Sequence, residues 1–162
     1  MGPNFSEILP LLVRSEVRFI VIGGGAAIAH GSSRSTYDVD IVYARDAENL
    51  RQLITALEPY KPYLRGAPPG LPFLWDRRTL GAGLNFTLTT TIGDIDLLGE
   101  VTGGGDYNQL LPDSEDMDVF GVRCRFVTLE KLIQLKRAAG RPKDLEAISE
   151  LHVILEERKK TE

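Results

Sequence analysis

With 162 residues, 43% hydrophobic and 26% charged, the chain has the size and composition of one soluble globular domain with room for a real core. No run approaches the roughly 20 apolar residues of a membrane span, and a net charge of −4 provides no global basic field for a long nucleic acid. The lone cysteine, Cys124, excludes an intrachain disulfide. Its alternation with Val122 and Phe126 marks a small buried side chain, and with no basic-then-apolar leader the expected setting is a reducing cytoplasm, away from membranes.

Asn4 and Glu7 have the spacing of a capping box, and Phe5, Ile8, Leu9 and Leu12 recur at helical spacing. Pro10 is expected to bend or shorten that helix. Residues 18–22 form a β-branched apolar run that predicts a buried strand, ending at the turn Gly23-Gly24-Gly25. A short helix over 26–30 stops at Gly31. The polar loop 32–36 then feeds a strand over 37–43, where Val39, Ile41 and Tyr43 alternate with Asp38 and Asp40.

Asp46 is placed to cap a helix whose Leu50, Leu53, Ile54 and Leu57 make one apolar stripe. The stretch 58–83 holds five prolines and four glycines and reads as a long irregular connection. Leu84, Phe86 and Leu88 alternate with polar residues, and Ile92-Gly93-Asp94 has the character of a turn into a strand over 95–101. A short helix follows Gly103-Gly104-Gly105, and a second hairpin turns at Gly121. Thr128 is placed to cap a helix that Gly140 stops, and Pro142 to open the last one. Residues 1–162 read as one domain without repeats or linkers.

The chemistry centres on Asp38 and Asp40. Carboxylates at i and i+2 of a strand leave the same face with Cα atoms roughly 6.5 Å apart. Such a like-charged pair requires positive charge between its members, and oxygen ligands without His or Cys favour Mg²⁺ or Mn²⁺ over zinc. Asp is also poorly suited to a plain strand, so local propensity is overridden at both positions. The glycine turn, Gly23 and Gly24 above all, either offers backbone N–H groups to phosphate oxygens or is only a tight strand-to-helix connection. Ser33, Arg34, Ser35 and Thr36 add donors beside the acidic strand. Lys136 continues the apolar face of Leu129, Leu132 and Ile133, so it either faces a ligand or snorkels to water. Arg141 opens onto the same region, within a local basic patch that includes Arg137 and Lys143. Asp144 suits the first turn of the last helix. Trp75, with Asp76, Arg77 and Arg78, is either a stacking element for a ligand or an anchor for the long connection. His30 and His152 lack partners at metal or triad spacing and read as structural.

Ile22-Gly23-Gly24, thirteen intervening residues, then Asp38-Val39-Asp40-Ile41 resembles the signature of the DNA polymerase beta-like nucleotidyltransferase superfamily. The run from Leu132 to Leu145, with Lys136, Arg141 and Asp144, resembles the AbiEii-like and related uncharacterised bacterial branch. The resemblance implies an α/β (α+β) nucleotidyltransferase fold, a mixed twisted sheet flanked by helices, with a C-terminal helical pair. It also implies a third carboxylate on a later strand. Asp94 and Asp96 are the candidates, and Asp96, between Ile95 and Leu97, fits the pattern, with Asp94 left in the turn. Two Mg²⁺ (or Mn²⁺) ions on Asp38, Asp40 and Asp96, and an NTP held by Gly23, Gly24, Ser33 to Thr36, Lys136 and Arg141, are the implied site.

The expected activity is transfer of an NMP group from an NTP to a hydroxyl on RNA, protein or a small molecule. Some relatives are toxins or defence components with an antitoxin partner. The alternative is a nucleotide- or metal-binding module of the same fold without chemistry. A dinucleotide-binding oxidoreductase fits poorly, because Ile28 stands where a small third residue is needed.

Overall fold

The computed structural model describes residues 3–161. Helix α1 (Pro3–Arg14) buries Phe5, Ile8, Leu9 and Leu12 completely. It begins before the expected capping box, so Asn4 is already helical and its side-chain amide donates to the Tyr37 carbonyl at 2.9 Å. Pro10 lies inside the helix rather than ending it. Burial of the apolar stripe on both sides of the proline outweighs its missing N–H.

Strand β1 (Phe19–Ile22) is buried along its whole length and passes directly into α2 (Gly23–Ala29). The three glycines are therefore the first turn of the helix, not a turn ahead of one. A side chain has no room there. A Cβ on Gly23, whose φ is +65°, would collide with the Asp40 carboxylate; one on Gly24 would lie 2.6 Å from Thr36 Oγ1, and one on Gly25 2.5 Å from the Phe5 ring.

Strand β2 (Val39–Tyr43) follows the polar loop, and α3 (Ala47–Leu57) is capped by Asp46 as its sequence predicts. Buried Asn49 of α3 accepts the Arg18 N–H at 2.7 Å and donates to the Arg18 and Ala44 carbonyls, tying the helix to the strand ends. The long connection contains β3 (Tyr63–Leu64) and a short helix, α4 (Arg77–Ala82), capped by Asp76. Trp75 takes the anchoring role, its indole N–H donating to the Ile54 carbonyl at 3.0 Å.

Strands β4 (Asn85–Thr90) and β5 (Gly93–Leu98) form a hairpin whose turn is Thr91-Ile92. The turn lies earlier than the sequence suggests, so Asp94 is a strand residue opposite Thr89. The expected strand over 95–101 breaks at Gly99, and β6 (Glu100–Val101) pairs separately with β7 (Gly105–Asp106). Helix α5 (Tyr107–Leu110) carries a capping box from Asp106 and Gln109. The second hairpin is β8 (Ser114–Val119) with β9 (Val122–Val127). Thr128 caps α6 (Leu129–Ala139), Gly140 ends it in the left-handed conformation, and α7 (Pro142–Thr161) packs against it.

Among the described residues one seven-stranded sheet has the order β3-β4-β5-β2-β1-β9-β8. It is mixed: β2 runs parallel to β5 and β1 parallel to β9, and the remaining neighbours are antiparallel. Helix α1 packs against β2, β5 and β9, α2 against α6, and the pair α6–α7 closes the C-terminal end, as expected. No helix among the described residues is long and apolar enough to cross a membrane.

The contact between Gly25 and Phe5 gives a direct test of this packing. Gly25→Ala drives a methyl group into a fully buried ring, and overpacking of this kind costs about 1–3 kcal/mol. A fall in the urea unfolding midpoint is expected; an unchanged midpoint would mean that α1 yields to the methyl group.

Candidate active site

The parallel pairing of β2 with β5 sets Asp40 level with Asp96, after Val39 has been set level with Ile95. Neighbouring strands lie about 4.8 Å apart and level residues share a face, so the two carboxylates crowd one another. Asp38 and Asp94 precede the same pair on the same side of the pleat. Four carboxylates thus gather on one face of two strands, while Val39, Ile41, Ile95 and Leu97 fill the other with no exposure.

Asp40 carries most of the strain of this arrangement. Burial, then its contact with Asp96 and the charge of Asp38, push its carboxyl up to about 8. Asp40 Oδ1 is buried without a hydrogen-bond donor, and Asp96 Oδ1, also buried, has the ion pair to Arg65 in place of one. Arg65, directly after β3, supplies the opposing charge. Its Nη1 lies 3.5 Å from Asp38 Oδ2, its Nε 3.3 Å from Asp94 Oδ2 and its Nη2 2.9 Å from Asp96 Oδ1. The guanidinium is positioned by Nη2 donating to the Leu88 carbonyl at 2.7 Å, and the Arg65 backbone N–H donates to the Thr87 carbonyl at 3.0 Å.

Helix α6 brings Lys136 to the same cleft. Its side chain is 15% exposed and Nζ lies 3.7 Å from Asp144 Oδ1. Burial lowers the pKa of Lys136, and Asp144 opposes that shift. Asp144 is itself buried, which disfavours its charge. Hydrogen bonds from Arg141, the closest at 2.6 Å, together with the charges of Arg141 and Lys136 outweigh burial and hold its carboxyl below the usual range. Asp144 therefore serves as the anchor for both cations.

These groups form the common wall of a two-lobed cleft. Gly23, Asp40, Asp96, Lys136, Arg141 and Asp144 line both lobes. One lobe, of about 290 Å³, adds Gly24, Arg34, Ser35, Thr36, Asp38 and Lys143. The other, of about 320 Å³, adds the apolar side chains of Phe86, Leu98, Val101, Leu132 and Leu135, with Glu100 beside them. Ser33 is turned elsewhere: its hydroxyl donates to Glu150 Oε2 at 2.9 Å, next to the Ser32–Glu150 bond of 2.6 Å. Glu150 also lies 3.8 Å from Arg34, so α7 holds the first half of the polar loop.

This arrangement matches known folds, although no protein-family model and no curated protein matches the chain. Among solved structures, lincosamide antibiotic adenylyltransferase LnuA, bound to lincomycin, aligns with a TM-score of 0.62 at 18% identity over 95% of this chain and 98% of its own. An antigenic nucleotidyltransferase-like protein from Paracoccidioides brasiliensis aligns with a TM-score of 0.56 at 16% identity, over 90% of this chain and 72% of its own. The chain has the nucleotidyltransferase fold. A candidate nucleotidyltransferase from Thermotoga maritima aligns similarly, with a TM-score of 0.55 at 15% identity over 89% of this chain and 87% of its own.

Within that fold the acidic face answers the question of metal in part. The buried Asp40 Oδ1, which has no donor, beside the Asp96 carboxylate fits Mg²⁺ or Mn²⁺, which would take its remaining ligands from water and phosphate. The expected trio of Asp38, Asp40 and Asp96 is not gathered into a cage. Among the described residues no three His, Cys, Asp or Glu side chains are placed to hold a metal ion, and Arg65 spreads its contacts over Asp38, Asp94 and Asp96. Sequence reasoning missed Arg65 and Glu150. Neither lies in a periodic pattern with its partners. The one signal available was that four clustered acids demand a nearby cation.

His30 is structural, as expected, bonded to the Val127 carbonyl at 2.7 Å and to Arg158 at 2.9 Å. His152 contacts Arg137 at 2.9 Å. Cys124 is buried, and burial pushes its thiol up to about 12.

The raised Asp40 carboxyl makes a stability prediction with a definite sign. Between pH ~4 and 8 the folded chain binds a proton that the unfolded chain releases, so this group's contribution favours the fold less as pH rises through that window. Asp40→Asn removes the penalty. Metal-free, the variant is expected to melt at least ~2–4 °C above wild type at pH 8.5, the shift that about 1 kcal/mol produces in a domain of this size. The difference should shrink at pH 5. Scanning calorimetry at the two pH values checks it, and equal melting temperatures at pH 8.5 would contradict it.

Proposed function

We propose that the cleft transfers an NMP group from an NTP to a hydroxyl of an acceptor, releasing pyrophosphate. The observation that carries this reading is the meeting of Asp40 and Asp96 with Lys136 and Arg141 on the wall shared by both lobes. In-line attack on phosphorus needs negative charge neutralised on both sides of the phosphorus, and that need calls for carboxylates and cations in one place.

In this reading the polar lobe takes the triphosphate. Arg34, Lys136, Arg141 and Lys143 offer charge, and Ser35 and Thr36 offer hydroxyl donors, a set suited to phosphate oxygens. Gly23 and Gly24 line the same lobe and let the chain approach closely. A bound Mg²⁺ or Mn²⁺ on Asp40 and Asp96, with Asp38 adjacent, would supply Lewis-acid charge to the phosphate oxygens. The acceptor oxygen attacks the α-phosphorus, the bond to the bridging β-oxygen breaks, and the acceptor proton passes to a carboxylate, for which Asp96 is well placed beside Asp40.

The apolar lobe receives the body of the acceptor or the base. Its volume of about 320 Å³ and its Glu100, Asp40 and Asp96 carboxylates suit a small molecule better than a polyanion. LnuA, which shares the fold, is a lincosamide antibiotic adenylyltransferase with lincomycin bound. An RNA or protein acceptor would instead suit the toxin or defence role, with an antitoxin partner, that the resemblance of Leu132 to Leu145 to the AbiEii-like branch suggests. A binding module without chemistry draws support from one observation, the engagement of three site carboxylates by Arg65.

The test is incubation with each labelled NTP, Mg²⁺ or Mn²⁺, and a panel of small hydroxylated molecules, RNA and protein. Labelled product and pyrophosphate are expected, falling at least ~100-fold in Asp40→Asn and Asp96→Asn, as loss of a charge-stabilising group does. Lys136→Ala should raise KM for the NTP about tenfold, roughly the 1.4 kcal/mol of one charged contact. Metal-dependent NTP binding with no transfer across the panel would establish the binding module instead.

A further inference from the structure

Arg65 is a cation built into the acidic face. We propose that it permanently occupies the position of a second divalent ion, so that the cleft takes one divalent cation per chain. The inference deepens the nucleotidyltransferase reading and relies on it for the purpose of the ion, but not for the number bound.

Four features of the geometry support it. Arg65 touches three carboxylates at once, at 3.5 Å from Asp38, 3.3 Å from Asp94 and 2.9 Å from Asp96. A planar guanidinium with a fork of donors spans several carboxylates, as a single ammonium does not. It is held in place from behind by the Thr87 and Leu88 carbonyls of β4, so it rests on a strand of the sheet rather than on a free loop. Its side chain is only 25% exposed.

The remaining carboxylate completes the argument. Asp40 is the one member of the four with no ion pair to Arg65 among the described residues, and its Oδ1 is buried without a donor. In the absence of nucleotide, net charge does not choose the number, since one divalent ion with Arg65 leaves the four carboxylates one charge short of neutrality and two ions leave one charge over. The crowding of cations does. Like charges packed this closely repel strongly at low dielectric, so a second ion must either expel Arg65 or stay away.

The experiment is a titration of the full chain with Mn²⁺ alone, free ion being read by electron paramagnetic resonance. Wild type is expected to bind one Mn²⁺ per chain. Arg65→Met, similar in length but uncharged, is expected to bind two. Two ions in wild type, none in wild type, or one in both proteins would each overturn the proposal. If Arg65→Met fails to fold by circular dichroism, Arg65→Lys replaces it, because a lysine cannot span the three carboxylates. It should bind the first Mn²⁺ at least threefold more tightly than wild type, and an unchanged affinity would overturn the proposal.

Nucleotidyl transfer is measured separately on the same samples. Counts of one and two without transfer would leave Arg65 as assigned and remove the catalytic reading. Transfer by a wild type that binds two ions would do the reverse.

Discussion

The parallel pairing of β2 with β5 places Asp40 beside Asp96, and most of what is distinctive in the molecule compensates for the repulsion this creates. Neither strand can slip to relieve it. A shift of one residue would turn Val39, Ile41, Ile95 and Leu97 out of the core and the aspartates into it. Core burial thus fixes the register, and the register forces the acids together. Arg65 pairs with the acids directly and Lys136 lines the same cleft, where the sheet leaves a concentration of negative charge.

The surrounding elements are shaped by the same constraint. Asp40 lies where a side chain on Gly23 would stand, so α2 can begin at the end of β1 only with glycine in that place. Thr36 and Phe5 use the next two glycines in the same way. Asp144 opposes the burial that disfavours the charge of Lys136, and Lys136 and Arg141 in turn favour the ionised form of Asp144. Removing both cations would leave Asp144 buried and unpaired, which is costly in a low-dielectric site.

Site and fold make different demands on this chain. Asp40 costs stability where it stands, since burial and its acidic neighbours resist its charge. The rest of the sheet offsets that cost with a fully buried apolar face. A buried, strained carboxylate next to a cleft is a common mark of function, because the group is held against its own preference by its surroundings. The nucleotidyltransferase fold adds architecture to this inference, while the site itself supplies the chemistry.

What the sequence determined by itself was whatever depends on neighbours along the chain. Periodicity and caps marked α3, α6, the second hairpin and the pairing of Asp38 with Asp40, because strand alternation and N-cap bonding act within a few residues. Local signals misjudged the glycines, read as a turn and found as the start of α2. They also misjudged Asp94, assigned to a turn that lies at Thr91-Ile92. In both cases the deciding contacts come from elsewhere: Asp40, Thr36 and Phe5 press on the glycines, and β4 draws Asp94 into a strand. Only the tertiary structure brought Arg65 across three strands to the carboxylates, Glu150 to the polar loop, and α6 to the cleft. A long-range ion pair leaves no periodic trace in sequence, since its partners meet through the order of strands in the sheet and not through their spacing along the chain.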